Sequence, residues 1–121
     1  MLKGVLTKIV GTRHDREKKR VQPIVDQINE EYERLHADPW PGVLAQIRRS
    51  NIRNYTIWRD GEDLFASFEY VGDDFGADMA AMAADPETQR WWRLTDAMQE
   101  PLPDREPGSW WKTLEEVFHS D

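Results

Sequence analysis

"IRNYTIWRDGEDLFASFEYV", residues 52–71, decides the fold. Its first seven residues alternate Ile52, Asn54, Thr56 and Trp58 on one side with Arg53, Tyr55 and Ile57 on the other, and they are rich in β-forming types. Asp60-Gly61 is a hairpin turn signal, and "LFASFEYV" supplies the return strand. The stretch predicts a β-hairpin, and the other elements have to be placed around it.

Downstream, residues 74–99 read as helical. Asp85-Pro86 is an N-cap and first-turn pair opening "PETQRWWRLTDAM", residues 86–98. Trp91 and Trp92 point about 100° apart on such a helix, so one apolar stripe cannot bury both against one surface. One indole suits a core. A helix facing a pocket can use both. "EPLPDREPGS" is a loop, and "WKTLEEVFHS", residues 111–120, reads as a last strand.

Upstream, residues 30–51 hold two helical runs broken at Asp38-Pro39-Trp40-Pro41, and Tyr32 and His36 share one face of the first. From residue 30 the order is α-β-β-α-β. This is an α+β, split β-α-β ferredoxin-like unit with an antiparallel sheet that lacks only its first strand. Either "KGVLTKIV" (3–10) or "RVQPIV" (20–25) is recruited as that strand, or residues 15–36 form one long helix and the sheet has three strands. Pro23 is tolerated only in an edge strand, and a helix is expected to restart there. Leu2, Val5, Leu6 and Ile9 fall at helical spacing with Gly11 as a stop, which predicts a short basic N-terminal helix. Such a helix either packs on the body or rests weakly, through residues 1–12, on an anionic membrane surface.

The chain has 121 residues, enough for one domain with a real core. It contains no Cys, which excludes disulfides, thiolate metal sites and cysteine nucleophiles. No apolar run approaches a membrane span and no signal peptide is visible, so a soluble, cytoplasmic protein is expected. The net charge is −7, yet residues 1–20 carry seven Lys/Arg against Asp15 and Glu17, a net of +5, leaving −12 on the remainder. An acidic body argues against nucleic acid as the main ligand.

A single His on a helix is ordinarily a structural residue, and no neighbouring acid or His gives His36 a metal-site spacing. Its significance depends on company. Tyr32 presents a hydroxyl one turn earlier, and Tyr55 on the strand could face it. Imidazole, phenol and indole together suit a small sugar: aromatic faces cover its C–H surfaces, while hydroxyl and imidazole meet its oxygens. Trp40, Trp110 and Trp111 are by default core or dimer-interface residues.

"EEYERLHADPWPGV", "RNYTIW", "DLFASFE", "ETQRWWRLTDAM" and "LEEVF" occur in the order and spacing of the L-rhamnose mutarotases, and about residues 30–119, within an expected domain of residues 30–121, resemble that family. The resemblance implies a homodimer of ferredoxin-like units (the dimeric α/β-barrel type) with a sugar pocket on each sheet. It also implies interconversion of α and β anomers without a cofactor. By the same resemblance His36 takes the place of the acid/base histidine, and Tyr32, Tyr55, Trp91 and Trp92 those of the sugar-binding residues. Residues 1–29 are similar instead to the extreme N-terminus of the preprotein-translocase motor ATPase SecA, through "MLKGVLTKIVG" and the basic run after it. No Walker A loop is present, so ATPase activity does not carry over. The alternative function is therefore a non-catalytic mutarotase-like body, or a fusion, carrying a membrane- or translocon-binding tip.

Overall fold

The computed structural model describes the backbone of residues 2–8 and 15–121, and side chains from residue 22 onward. In chain order the elements are β1 (Leu2–Lys8), α1 (Asp15–Ala37), α2 (Pro41–Arg49), β2 (Ile52–Asp60), β3 (Asp63–Tyr70), α3 (Phe75–Ala84), α4 (Pro86–Asp96) and β4 (Glu100–Pro101). The strands form one antiparallel sheet in the order β2-β3-β1-β4. The architecture is α+β.

The hairpin turns as its sequence requires. Asp60 pairs with Asp63, and Gly61 takes the left-handed φ of +59° that the turn demands and that glycine adopts without a Cβ penalty. Along β2, however, simple alternation fails. Arg53 pairs with Glu69 and Thr56 with Ser67, so Asn54 and Tyr55 both lie opposite Phe68. This is a β-bulge, with Asn54 at φ +49°. Beyond it the faces exchange. Ile57 therefore joins buried Ile52 toward the core, while Trp58 is 52% exposed.

The expected N-terminal helix is a strand over residues 2–8; Ile9 and the Gly11 stop lie outside the described residues. β1 also carries a register shift, because Gly4 pairs with Ala66 and Thr7 with Leu64, leaving Val5 and Leu6 to share one step of the ladder. Two adjacent apolar residues at a bulge reproduce the i, i+3, i+4 spacing of a helix. The missing first strand is thus drawn from the "KGVLTKIV" stretch. The helix over 15–36 forms as well, continuous from Asp15 to Ala37, with Pro23 inside it rather than at a new start. Val25, Asn29, Tyr32 and Leu35 bury one face of α1, enough to hold the helix across the proline.

The break at Asp38-Pro39-Trp40-Pro41 falls as expected, with Pro41 opening α2. Residues 74–99 divide into two helices at Asp85, whose carboxylate accepts from the Thr88 N–H (2.8 Å) and caps α4. The last strand is not where sequence placed it. Thr113 forms a single bridge, residues 114–121 take no regular secondary structure, and β4 is the two-residue pairing of Glu100 and Pro101 with Lys8 and Thr7. Strand-forming residues such as Val117 and Phe118 need a neighbouring edge, and among the described residues they have none; both are exposed.

The core lies between the helices and one sheet face, built from Tyr32, Leu35, Val43, Leu64, Trp91 and Met98. Leu64 is fully buried. Its sequence neighbour Phe65 pairs with Trp58 across the ladder, and both are exposed on the opposite face.

Candidate active site

A cavity of about 610 Å³ opens between the helices and the inner sheet face. Tyr32, His36, Tyr55, Trp91 and Trp92 all line it, so the structure brings together every residue that sequence singled out.

Two helices hold the chemical centre. Tyr32 and His36 stand one turn apart on α1, and their rings stack with centroids 4.1 Å apart. Trp91 from α4 closes against the imidazole edge at 5.2 Å and meets Trp40 at the same distance. Trp91 is buried, whereas Trp92 is 37% exposed at the rim. The tandem thus gives one wall and one lip, as the 100° offset requires. Tyr55 enters from the other side on the β2 bulge, stacked on Phe68 at 5.8 Å.

His36 has a defined tautomer. Its Nδ1 lies 2.8 Å from the Tyr32 carbonyl oxygen. A carbonyl only accepts, so Nδ1 carries the hydrogen and Nε2 keeps its lone pair. Burial holds the imidazole below its ordinary pKa, partly offset by that same hydrogen bond. The ring is therefore neutral near pH 7, a base ready at Nε2. Desolvation pushes the Tyr32 phenol well up, reinforced by neighbouring Tyr55 and Asp96 and opposed by a hydrogen bond from Gln99. Desolvation also pushes the Tyr55 hydroxyl up to about 12. Both phenols are protonated donors at neutral pH, not bases.

Three further residues line this centre without a sequence signal. Asp96, at the end of α4, has its carboxyl raised by desolvation. Gln99 donates from Nε2 to the Tyr32 hydroxyl (2.8 Å), and the Trp110 indole N–H donates to Gln99 Oε1 (2.8 Å). Trp110, expected as core or interface, is instead a polar partner at the cavity. The rest of the lining is largely apolar, with Phe68 on β3, Met79 and Met82 on α3, and Leu44 and Ile47 on α2. Nothing here resembles a nucleophile–base pair for covalent chemistry. What the arrangement offers is proton exchange at one nitrogen, hydrogen bonds from phenols, and aromatic and apolar surfaces for a small ligand.

The site therefore belongs to the class of acid–base pockets for small polar molecules. The model of a protein family described as L-rhamnose mutarotase matches residues 19–120. An L-rhamnose mutarotase of Opitutus terrae is 35% identical over 91 residues, covering 75% of this chain and 85% of that one. An L-fucose mutarotase of Xanthomonas campestris pv. campestris is 34% identical over 92 residues, 73% of each chain. An L-rhamnose mutarotase of Cronobacter sakazakii is 31% identical over 101 residues, covering 82% and 92%. The crystal structure of an L-rhamnose mutarotase from Formosa agariphila superposes over the full length of both chains with a TM-score of 0.60 at 19% identity, which shows a shared fold. The chain belongs to the L-rhamnose mutarotase family.

The family match begins at Lys19, inside the residues 1–29 that the sequence reading set apart, and α1 runs through residues 29 and 30 without a break. Residues 2–8 are held in the sheet between β3 and β4, so they do not form a helical tip for a membrane. No helix among the described residues is long and apolar enough to cross one.

Proposed function

We propose that the protein is an aldose 1-epimerase that interconverts the α and β anomers of L-rhamnose or a similar 6-deoxy sugar, with no cofactor. The carrying observation is the Tyr32–His36 pair in its cavity: a neutral imidazole with Nδ1 committed to a carbonyl and Nε2 without a partner among the described residues, beside a protonated phenol. Family membership supplies the substrate class, and the relatives named for L-rhamnose and L-fucose both act on 6-deoxy sugars.

The chemistry needs no external reagent. Nε2 of His36 takes the proton of the anomeric hydroxyl as the C1–O5 bond breaks, giving the open aldehyde. A proton returns from His36 to the ring oxygen, with the Tyr32 hydroxyl bonded to that oxygen as negative charge develops. Rotation about C1–C2 and the reverse steps then close the other anomer. One group with a pKa near the working pH serves both directions. Tyr55, Trp91 and Trp92 bind the sugar, its C–H faces lying on the indoles and one hydroxyl on the Tyr55 phenol. Saturation transfer between the two anomeric protons in NMR measures the exchange directly. His36→Ala is expected to slow it by about 10²–10⁴-fold; an unchanged rate would refute the assignment.

The proposal extends to a ferredoxin-like homodimer joined through the outer sheet face. Support comes from Trp58 and Phe65, paired across the ladder and 52% and 38% exposed, a pair that a solvated sheet face has little reason to carry. Trp58→Glu is expected to convert dimer to monomer in sedimentation velocity. A parent that sediments as a monomer sinks this part alone.

A further inference from the structure

An indole N–H can only donate. With Trp110 Nε1 2.8 Å from Gln99 Oε1, the amide oxygen of Gln99 must face the indole, so its NH₂ faces Tyr32. The 2.8 Å contact between Gln99 Nε2 and the Tyr32 hydroxyl is therefore one in which the phenol oxygen accepts. Its own hydrogen is left for another partner, and among the described residues none takes it. If the amide were turned over, the phenol would donate to Oε1 and its hydrogen would be consumed inside the protein. The orientation of one amide thus decides what Tyr32 can offer a ligand.

The three residues come from distant points of the chain. Tyr32 lies on α1, Gln99 just beyond α4, and Trp110 in the loop region after β4. Trp110 and Gln99 both line the cavity, and Tyr32 is only 4% exposed. Water therefore has little access to restore a misoriented phenol, and a polar chain in such a setting is strongly directional.

We infer that Trp110 and Gln99 form a positioning relay that fixes Tyr32 as a hydrogen-bond donor into the cavity, aimed at the ring oxygen of the bound sugar. The inference rests on the mutarotase reading for its substrate, but the donor state of Tyr32 stands independently of it. Gln99 and Trp110 touch no reacting atom; they act through Tyr32.

The test is Gln99→Glu, which keeps size and shape and still accepts from Trp110, but presents a carboxylate oxygen to the phenol. Tyr32 must then donate to residue 99. The expected result is a fall in kcat of about 10–10²-fold with little change in KM, matching Tyr32→Phe, and no further fall when the two are combined. A purely structural role predicts additive losses with altered KM. The second readout is the tyrosine Raman doublet, whose intensity ratio distinguishes an accepting from a donating phenol; the parent-minus-Tyr32→Phe difference isolates this residue. Without sugar it should read acceptor in the parent and donor in Gln99→Glu. Should that variant fail to fold, Trp110→Phe carries the test, releasing the amide to give a mixed doublet and an intermediate kcat. A donor signal in the sugar-free parent, or full additivity, overturns the relay. A parent with the expected doublet but no anomer exchange would overturn the mutarotase reading and leave the relay standing.

Discussion

The cavity has two walls of opposite construction. On the α1–α4 side nearly every group is tied to another: Tyr32 to His36, His36 to Trp91, Trp91 to Trp40, and Tyr32 through Gln99 to Trp110. On the α3 side the helix "FGADMAAMAA" buries no residue, and its Met79 and Met82 line the cavity half-buried. One wall consists of side chains whose rotamers are fixed by mutual contact; the other is adaptable apolar surface. Proton chemistry needs the first, because a misplaced Nε2 or phenol loses the reaction. A methyl-bearing sugar needs only the second, since thioethers mould to apolar shapes at little cost.

Breaking the fixed wall should have the larger effect. Trp91→Ala removes a buried ring that packs His36 and Trp40, and is expected to cost about 3–5 kcal/mol in urea unfolding and most of the exchange activity. Met82→Ala on the adaptable wall should cost about 1 kcal/mol and act chiefly on KM. Equal costs would show the two walls to be alike.

A smaller effect sharpens the same contrast through pH. Burial lowers the His36 pKa below its unfolded value of about 6.5, so the unfolded chain takes up the proton first. The stability that His36 contributes is thus complete above that value and declines as pH falls through it. Exchange should likewise fall once the folded imidazole protonates. Asp96 works in the opposite sense: with its carboxyl raised, it costs stability as pH rises past its unfolded value, near 4. Denaturant titrations of parent and His36→Asn between those limits should show the acid slope lost in the variant.

The sequence made the fixed wall partly legible because its first members are local. Tyr32 and His36 are one helical turn apart, Asp85-Pro86 marks the start of α4, and a tandem of indoles on a helix already implies two surfaces. Gln99 and Trp110 were not legible as partners, since an amide and an indole eleven residues apart meet only once α4 and the following loop are folded. The bulges were hidden for a different reason. In β1 the extra residue gave a helical spacing, and in β2 it reversed an alternation that looked regular. The strand expected over residues 111–120 shows the complementary limit: composition favoured it, but a strand exists only where an edge is there to pair with it.

The β2 bulge behaves like a frameshift written in space rather than in codons. Upstream of Asn54 the odd and even residues face one way, and downstream they face the other. Keeping Asn54 but forcing it into ordinary extended backbone would ask the strand to turn Ile57 outward and Trp58 toward the core, or else to lift Tyr55 from its place on Phe68, whereas deleting it would restore a regular alternation with all three in place. One residue with a left-handed backbone is thus what lets this strand, with Asn54 in it, present Ile57 to the core beside the cavity and Trp58 to the exposed aromatic pair on the other face.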